Sequence, residues 1–246
     1  MNSLYRELLA LSHHSLRGHC NIVRLLYYDL VDDGDRVIPT LIMERARYGS
    51  LADHLETGMA ITEGNKISLC ADVTAGLVAL HQAEIVHGDV KADNVLVFES
   101  TDLHRTFLAK LTDFGSIISF APSHVGSSRY YGTRLYNAPE VEEQSGNKTL
   151  SADGLIKCDA YSLGLLIVHV ITGELSEGLT TQDQKVLEKA LQSSAQANLH
   201  QNIHSAIKIT LEKLLPWNPE QRCADLASVH KVLKDSQGYE LETLPK

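Results

Sequence analysis

Leu4, Leu8 and Leu11 fall at helical spacing within SLYRELLALS (3–12), and Ser3 stands where a cap would, so the chain opens on a short amphipathic helix. NIVRLLYYDL (21–30) and RVIPTLIME (36–44) are apolar runs rich in β-branched and aromatic residues. The intervening DDGD (32–35) supplies turn chemistry, and together they predict two strands joined as a hairpin. Ile67, Cys70, Ala71, Val73, Thr74, Leu77, Val78 and Leu80 give an apolar helical face over 65–82, ending at His81. Short strands follow at 95–97 and 108–111, with ESTDLHRT (99–106) as a polar surface turn between them. Residues 116–133 are rich in Ser, Gly and Tyr without a period and predict a loop. Asp159 opens DAYSLGLLIVHVITG, an apolar helix for which Gly173 is a natural stop. Residues 181–200 are polar with helical stretches, 200–217 return to helical periodicity, and 224–235 form a last helix before a tail. No internal repeat or low-complexity tract interrupts this series.

Composition narrows the class. A chain of 246 residues, 43% hydrophobic and 22% charged, can bury a real core and is not that of a disordered protein. A formal net charge of -9 argues against a nucleic-acid or anionic-membrane binder, whose footprint is basic. Cys20, Cys70, Cys158 and Cys223 are scattered without a CxxC pair and read as packed thiols of a reducing compartment. The run from Leu163 to Ile171 is about nine residues long, too short to span a bilayer, and MNSLYREL lacks the basic start and apolar centre of a signal peptide. The expected location is intracellular, cytoplasmic or nuclear. His13, His14, His19 and Cys20 lack a second ligand pair at a recognised spacing and read as a solvated turn. His200 and His204, at i,i+4 with no third ligand nearby, read as a surface helix face.

The residues that carry chemistry lie in HGDVKADN (87–94), TDFG (112–115) and NAPE (137–140). An aspartate can accept a hydroxyl proton, a lysine can neutralise a phosphate oxygen, and an asparagine with a second aspartate offers hard oxygens to magnesium. In this order the three motifs resemble the catalytic core of a eukaryotic-type protein kinase, whose loop reads H-R-D-x-K-x-x-N and is followed by D-F-G and A-P-E. A lysine two residues after the aspartate, together with GTRLYNAPE, resembles the serine/threonine branch.

The resemblance implies ATP and Mg2+ as cofactors, a protein substrate, and no nucleic-acid or membrane partner. It makes Asp89 the base for the substrate hydroxyl, sets Lys91 against the transferring phosphoryl group, and places Thr133 to bond both. Asn94 and Asp113 would hold the metal. Met43 would be the gatekeeper, the backbone from Glu44 to Ala46 would bond adenine, and Leu96 would floor it. His87 and Phe114 would stack in a column reaching the first helix through Leu11 and Leu25. Glu140 and Arg222 would form a buried ion pair, Asp159 would brace the catalytic-loop backbone, and Glu7 stands where the interlobe helix carries its ion-pairing glutamate. The segment between TDFG and NAPE would be the activation segment.

Two departures qualify the resemblance. Gly88 replaces the arginine that normally pairs with a phosphorylated activation segment, so activity is expected not to depend on phosphorylation of Ser127, Ser128 or Tyr130 through that contact. No GxGxxG or VAIK-like segment occurs in the chain, and Glu7 has no lysine from such a strand to meet. The expected fold is therefore α+β and protein-kinase-like: a partial N-lobe of interlobe helix plus two strands over 1–44, a mainly helical C-lobe over 45–236, and a tail over 237–246. The first functional reading is a serine/threonine kinase domain truncated at its N-terminal side, with a longer form supplying the missing parts and these residues turning over ATP weakly. The alternative is a kinase-like interaction module without catalysis, and a small-molecule phosphotransferase is the third. A partner protein covering the incomplete N-lobe is expected, since its strands would expose apolar surface.

Overall fold

The computed structural model describes residues 3–32, 34, 37–57, 61–120, 128–142, 149–173 and 201–237. Expectations for Ser127, for 181–200 with His200, and for the tail beyond Gln237 lie outside the described residues, as do turn residues Asp33 and Asp35.

In chain order the elements are helix α1 (Ser3–Ser12), strands β1 (Leu25–Asp32) and β2 (Val37–Met43), helices α2 (Leu51–Glu56) and α3 (Glu63–Gln82), and strands β3 (Ile85–Val86), β4 (Val95–Glu99), β5 (Phe107–Leu111) and β6 (Ile118–Ser119). Helices α4 (Pro139–Glu142), α5 (Ala152–Thr172), α6 (Gln201–Ile209) and α7 (Leu226–Asp235) complete them. Among the described residues this is an α+β fold with three antiparallel two-stranded ribbons, β1–β2, β3–β6 and β4–β5.

Helices α3 and α5 form the centre. Thr62 caps α3 by accepting the Asn65 N–H, and the helix is buried on more than one face, with Ser68, Asp72 and Thr74 enclosed beside Ile67, Leu69, Val73, Leu77 and Leu80. Thr74 and Asp72 are satisfied internally. Thr74 donates to the Cys70 carbonyl at 2.7 Å, and Asp72 accepts from Arg105 at 2.8 Å and from the Ala109 N–H at 2.9 Å. Asp72 thereby clips α3 to the β4–β5 ribbon. Burial pushes the Asp72 carboxyl above its ordinary value, opposed by its bonds to Arg105 and Ala109.

Several boundaries differ from the sequence expectation, each for a visible reason. Helix α5 begins seven residues before Asp159, capped by Ser151 on the Gly154 N–H, because Leu155 and Cys158 extend its buried face. Asp159 therefore sits inside the helix instead of at its start. Gly173 ends it in the left-handed conformation at φ 78°. By length and composition α5 could cross a membrane, yet 78% of its apolar window is buried within the protein. Residues 21–23 do not belong to β1. Val23 N–H bonds the Leu111 carbonyl at 2.9 Å and Leu111 N–H bonds the Asn21 carbonyl at 2.9 Å, so this stretch runs beside the end of β5. Ser3 lies within α1, not before it, and part of the expected 116–133 loop is strand β6, paired with β3. After α6 the backbone widens into a π-type turn over Thr210–Leu214.

The β1–β2 ribbon touches this core through Leu25, Leu41 and Met43 and otherwise stands away from it. Leu26, Tyr27, Tyr28, Leu30 and Val31 of β1 and Ile42 of β2 are all exposed, on both faces of the ribbon.

At the opposite end Arg222, 3% exposed, forms a two-pronged pair with Glu140, at 2.6 Å and 3.1 Å. Its remaining donors meet the carbonyls of Lys157 (2.9 Å) and Pro216 (3.1 Å), and its guanidinium lies 4.7 Å from the Tyr161 ring centroid. Removing one partner leaves the other charge buried, so Arg222→Ala is expected to cost about 3–5 kcal/mol in urea unfolding. A loss under about 1 kcal/mol would show the pair to be dispensable.

Candidate active site

Strand pairing brings the two chemistry-bearing loops together. The β4–β5 register sets Val95 opposite Leu111, so the residues just outside the ribbon, Asn94 and Thr112, are neighbours, and Thr112 N–H bonds the Asn94 carbonyl at 3.0 Å. Asn94 is thus fixed next to the residue preceding Asp113. A one-residue slip of this register would separate them.

The loop before β4 is shaped by side-chain bonds. Asn94 Nδ2 donates to the Asp89 carbonyl at 2.9 Å and to Asp89 Oδ2 at 3.1 Å, closing the loop on itself. Thr133 Oγ1 donates to Asp89 Oδ1 at 2.7 Å and accepts from Lys91 Nζ at 2.9 Å, while Lys91 Nζ also lies 3.2 Å from Asp89 Oδ2. Asp89, Lys91, Asn94 and Thr133 therefore form one hydrogen-bonded cluster across about 45 residues of sequence.

His87 links this loop to the next. Its Nε2–H donates to the Thr112 carbonyl at 3.1 Å, its Nδ1 accepts from the Asp89 N–H at 3.3 Å, and its ring lies 5.5 Å from that of Phe114. Phe114 is fully buried, and Leu11 belongs to the same core, with the half-buried Leu25 packed against it. Asp113 adopts a left-handed conformation (φ 57°, ψ 73°), accepts from the Gly115 N–H at 3.3 Å, and keeps an exposed position. A non-glycine residue there is uncommon, and such backbones concentrate where function over-determines them.

Helix α1 lies against this turn. Arg6 Nη1 donates to the Gly115 carbonyl at 3.1 Å, and Ser3 also abuts Gly115. Burial, and then the charge of Asp113, raises the Glu7 carboxyl above its ordinary value. Glu7 thus shares the region of Asp113 and forms no ion pair among the described residues.

On the other side of β4, Val97 N–H bonds the Gly49 carbonyl at 2.9 Å, Tyr48 N–H bonds the Val97 carbonyl at 3.2 Å, and Ser50 pairs with Leu96. The chain after β2 is thereby laid along the strand that carries Leu96. Met43 is half-buried against the core. The Glu44 N–H bonds the Arg24 carbonyl at 3.0 Å, while the Glu44 side chain accepts the Arg24 N–H at 2.8 Å and the Lys110 ammonium at 2.6 Å. The Glu44 carboxylate takes the donor that a regular ladder would give to the Glu44 carbonyl. Lys110 was not singled out from the sequence, where nothing connects a lysine on a short strand to an acid 66 residues earlier.

Asp159 holds the assembly from beneath. Fully buried, it accepts from the His87 N–H at 2.8 Å and His81 Nε2 at 2.9 Å through Oδ2, and from the Gly88 N–H at 3.0 Å and the Tyr130 hydroxyl at 3.0 Å through Oδ1. Tyr130 and His81 are partners that sequence reading missed, since neither spacing nor period connects them to Asp159.

A sequence profile of the protein kinase domain matches residues 1–236. The chain belongs to the protein kinase family. Among curated proteins this kinase domain is similar to serine/threonine-protein kinase shk1/pak1 of Schizosaccharomyces pombe, 28% identical over 171 residues that make up 70% of the chain and 23% of that protein. It is similar to probable serine/threonine-protein kinase iksA of Dictyostelium discoideum, 31% identical over 191 residues covering 69% of the chain and 19% of that protein. It is similar also to calmodulin-binding receptor-like cytoplasmic kinase 3 of Arabidopsis thaliana, 34% identical over 165 residues covering 63% and 29%. The matched regions span less than a third of the length of each of these relatives. Members of this family use ATP as phosphate donor, a divalent metal and a protein acceptor, and the first two relatives are named as serine/threonine kinases.

Burial alone would raise the Asp159 carboxyl of this kinase domain. The hydrogen bond and charge of His81, the charge of His87 and the His87 N–H together outweigh it and hold the carboxyl below its ordinary value. The folded state therefore gives up this proton at lower pH than the unfolded chain. The resulting stability is complete above the unfolded value, about 3.9, and is lost as pH falls through the folded value. Asp159→Asn is expected to cost about 2–4 kcal/mol near neutrality, because donors are left unpaired, and to flatten the fall of urea stability below about pH 4. An unchanged acid slope in the variant would show that Asp159 does not carry this dependence.

Proposed function

We propose that this kinase domain transfers the γ-phosphate of ATP to serine or threonine hydroxyls of a protein, with Asp89 as the base that orients the hydroxyl and accepts its proton. The observation that supports this most directly is the Asp89–Thr133–Lys91 cluster. One carboxylate is held by a threonine hydroxyl at 2.7 Å and an asparagine amide at 3.1 Å, with an ammonium at 3.2 Å. In this reading Lys91 neutralises charge spreading over the phosphoryl oxygens, and Thr133 keeps base and lysine in register. The acceptor hydroxyl gives its proton to Asp89 as its oxygen bonds to phosphorus, and the bond to the ADP oxygen breaks.

Mg2+ is our assignment for the divalent metal. Asn94 spends its amide N–H on Asp89, which leaves its hard carbonyl oxygen available, and Asp113 offers an exposed carboxylate at the neighbouring loop. Burial and then the charge of Asp113 raise the nearby Glu7 carboxyl, so two acids share this region. These residues fit the metal, which when bound would neutralise phosphate oxygens. Adenine would be received by the Glu44 carbonyl and the Ala46 N–H, with Met43 as gatekeeper and Leu96 as floor. The division of Glu44's bonding between side chain and backbone supports this. His87, Phe114, Glu140, Asp159, Arg222 and Glu7 are assigned supporting roles.

We assign residues 1–44 to a partial N-lobe and 45–236 to the C-lobe, and place the protein inside the cell, cytoplasmic or nuclear. The exposed apolar residues of the β1–β2 ribbon support a protein partner there, and the acidic composition supports neither nucleic acid nor membrane.

Without GxGxxG or a VAIK-like lysine in its 246 residues, the chain is expected to transfer phosphate slowly from radiolabelled Mg·ATP to a generic protein substrate. Asp89→Asn should lower that rate by about 10²–10⁴-fold with Mg·ATP affinity unchanged by calorimetry, and Asp113→Asn should abolish the magnesium dependence of ATP binding. A chain that neither binds Mg·ATP nor transfers phosphate would favour the non-catalytic interaction module.

A further inference from the structure

The four donors on Asp159 come from three separate stretches: the end of α3, the loop at 87–88, and Tyr130. Tyr130 lies between the TDFG and NAPE motifs. It is 5% exposed, whereas Tyr131 beside it is 71% exposed, so of two adjacent tyrosines one is folded into the core and one faces solvent. The Tyr130 hydroxyl also lies 3.3 Å from Ser162 Oγ, itself bonded to the Tyr136 carbonyl at 2.8 Å. Burial first, and then the charge of Asp159, raises this phenol well above its ordinary value, so it remains a neutral donor at any working pH.

The surrounding segment is pinned on both sides of Tyr130. Ser128 and Leu150 exchange backbone bonds of 3.0 Å and 2.8 Å, and Asn137 Nδ2 donates to the Tyr131 carbonyl at 3.1 Å. Three residues after Tyr130, Thr133 bonds Asp89.

Position 88 is a glycine and supplies no side chain that could take this role. Its φ is +80°, and a Cβ there would meet the Ser116 carbonyl oxygen at 2.4 Å. Position 88 therefore accepts no side chain while the Phe114–Ser116 turn stays where it is. No basic group can reach the segment from that position. The oxygen of Asp159 that receives the Gly88 N–H is the one that receives the Tyr130 hydroxyl.

We propose that Tyr130 is a positioning residue of the phosphotransfer reaction, fastening the segment that carries Thr133 to the carboxylate that also fixes the Gly88 backbone, by a neutral hydrogen bond instead of a phosphate–arginine pair. This rests on the kinase reading above for its catalytic consequence. The anchor is built in during folding, so alignment of Thr133 with Asp89 does not wait for phosphorylation of Ser128 or Tyr131. Tyr130 is closed to a modifying enzyme until the segment leaves the core.

The test compares the full chain with Tyr130→Phe, Gly88→Arg and Tyr131→Phe, each with and without phosphatase treatment. Tyr130→Phe keeps the ring and removes the bond. Its kcat should fall about tenfold with KM for Mg·ATP within about twofold, and the His87 and Gly88 amides should exchange hydrogen about tenfold faster. Tyr131→Phe should match the unaltered protein in both. Phosphatase should leave the unaltered protein's rate unchanged, and Gly88→Arg should lose turnover without acquiring phosphate dependence. Unchanged kcat and amide exchange in Tyr130→Phe would overturn the proposal, as would phosphatase loss of activity in the unaltered protein or a phosphatase-sensitive gain in Gly88→Arg. The exchange measurement needs no turnover. If the unaltered chain transfers no phosphate, the kinase reading fails while the amide data still decide whether Tyr130 anchors the loop.

Discussion

A carboxylate sealed inside a protein is tolerated only when donors saturate it, and that requirement governs this fold. Asp159 is fully buried within α5 and satisfied by two backbone N–H groups, an imidazole and a phenol. None of these donors is local to it in sequence. The chain around residues 81–88 and the segment at 130 must therefore both return to the same point on α5 before the charge is compensated. The loop at 87–94 inherits its backbone path from this solvation problem, because the N–H groups of His87 and Gly88 must point at one residue.

The second constraint is the register of β4 with β5. It joins a loop ending at Asn94 to a turn starting at Thr112, and His87 ties the two again from the side. Asp89 and Asp113 thus belong to adjoining loops braced from several directions, with α1 resting on the second through Arg6. Rigid support of this kind suits chemistry that consists mainly of positioning and charge stabilisation. The Glu140–Arg222 pair plays a corresponding part at the far end, joining the residues after Thr133 to the chain preceding α7.

Elements with strong local patterns were legible in the sequence. The helical period at 65–82 gives α3, and the apolar runs around DDGD give the β1–β2 ribbon with its strands displaced by a few residues. Asp89, Lys91, Asn94 and Asp113 could be singled out because their motifs resemble those of the protein kinase family, and the first three do meet in one cluster. What stayed hidden depends on distance. Asp159 looked like a helix start, since a polar residue before an apolar run usually is one; the resemblance gave its bond to the 87–88 backbone, but its burial and its donors His81 and Tyr130 depend on chain far away in sequence. The Lys110–Glu44 pair and the clip from Asp72 to Arg105 span two elements each, and alternation along β5 says nothing about which lysine meets which acid. Residues 21–23 have the composition of a strand, yet tertiary pairing with Leu111 claims them.

Helix α5 combines enough length and apolar character to be mistaken for a bilayer-spanning segment with a charged aspartate in its first half. On emerging from the ribosome, before its partners exist, that carboxylate opposes lipid insertion by a few kcal/mol. Together with Asp153 and Lys157, the residue that later holds the 87–88 backbone thus makes the isolated helix less suited to lipid than its mean hydropathy suggests.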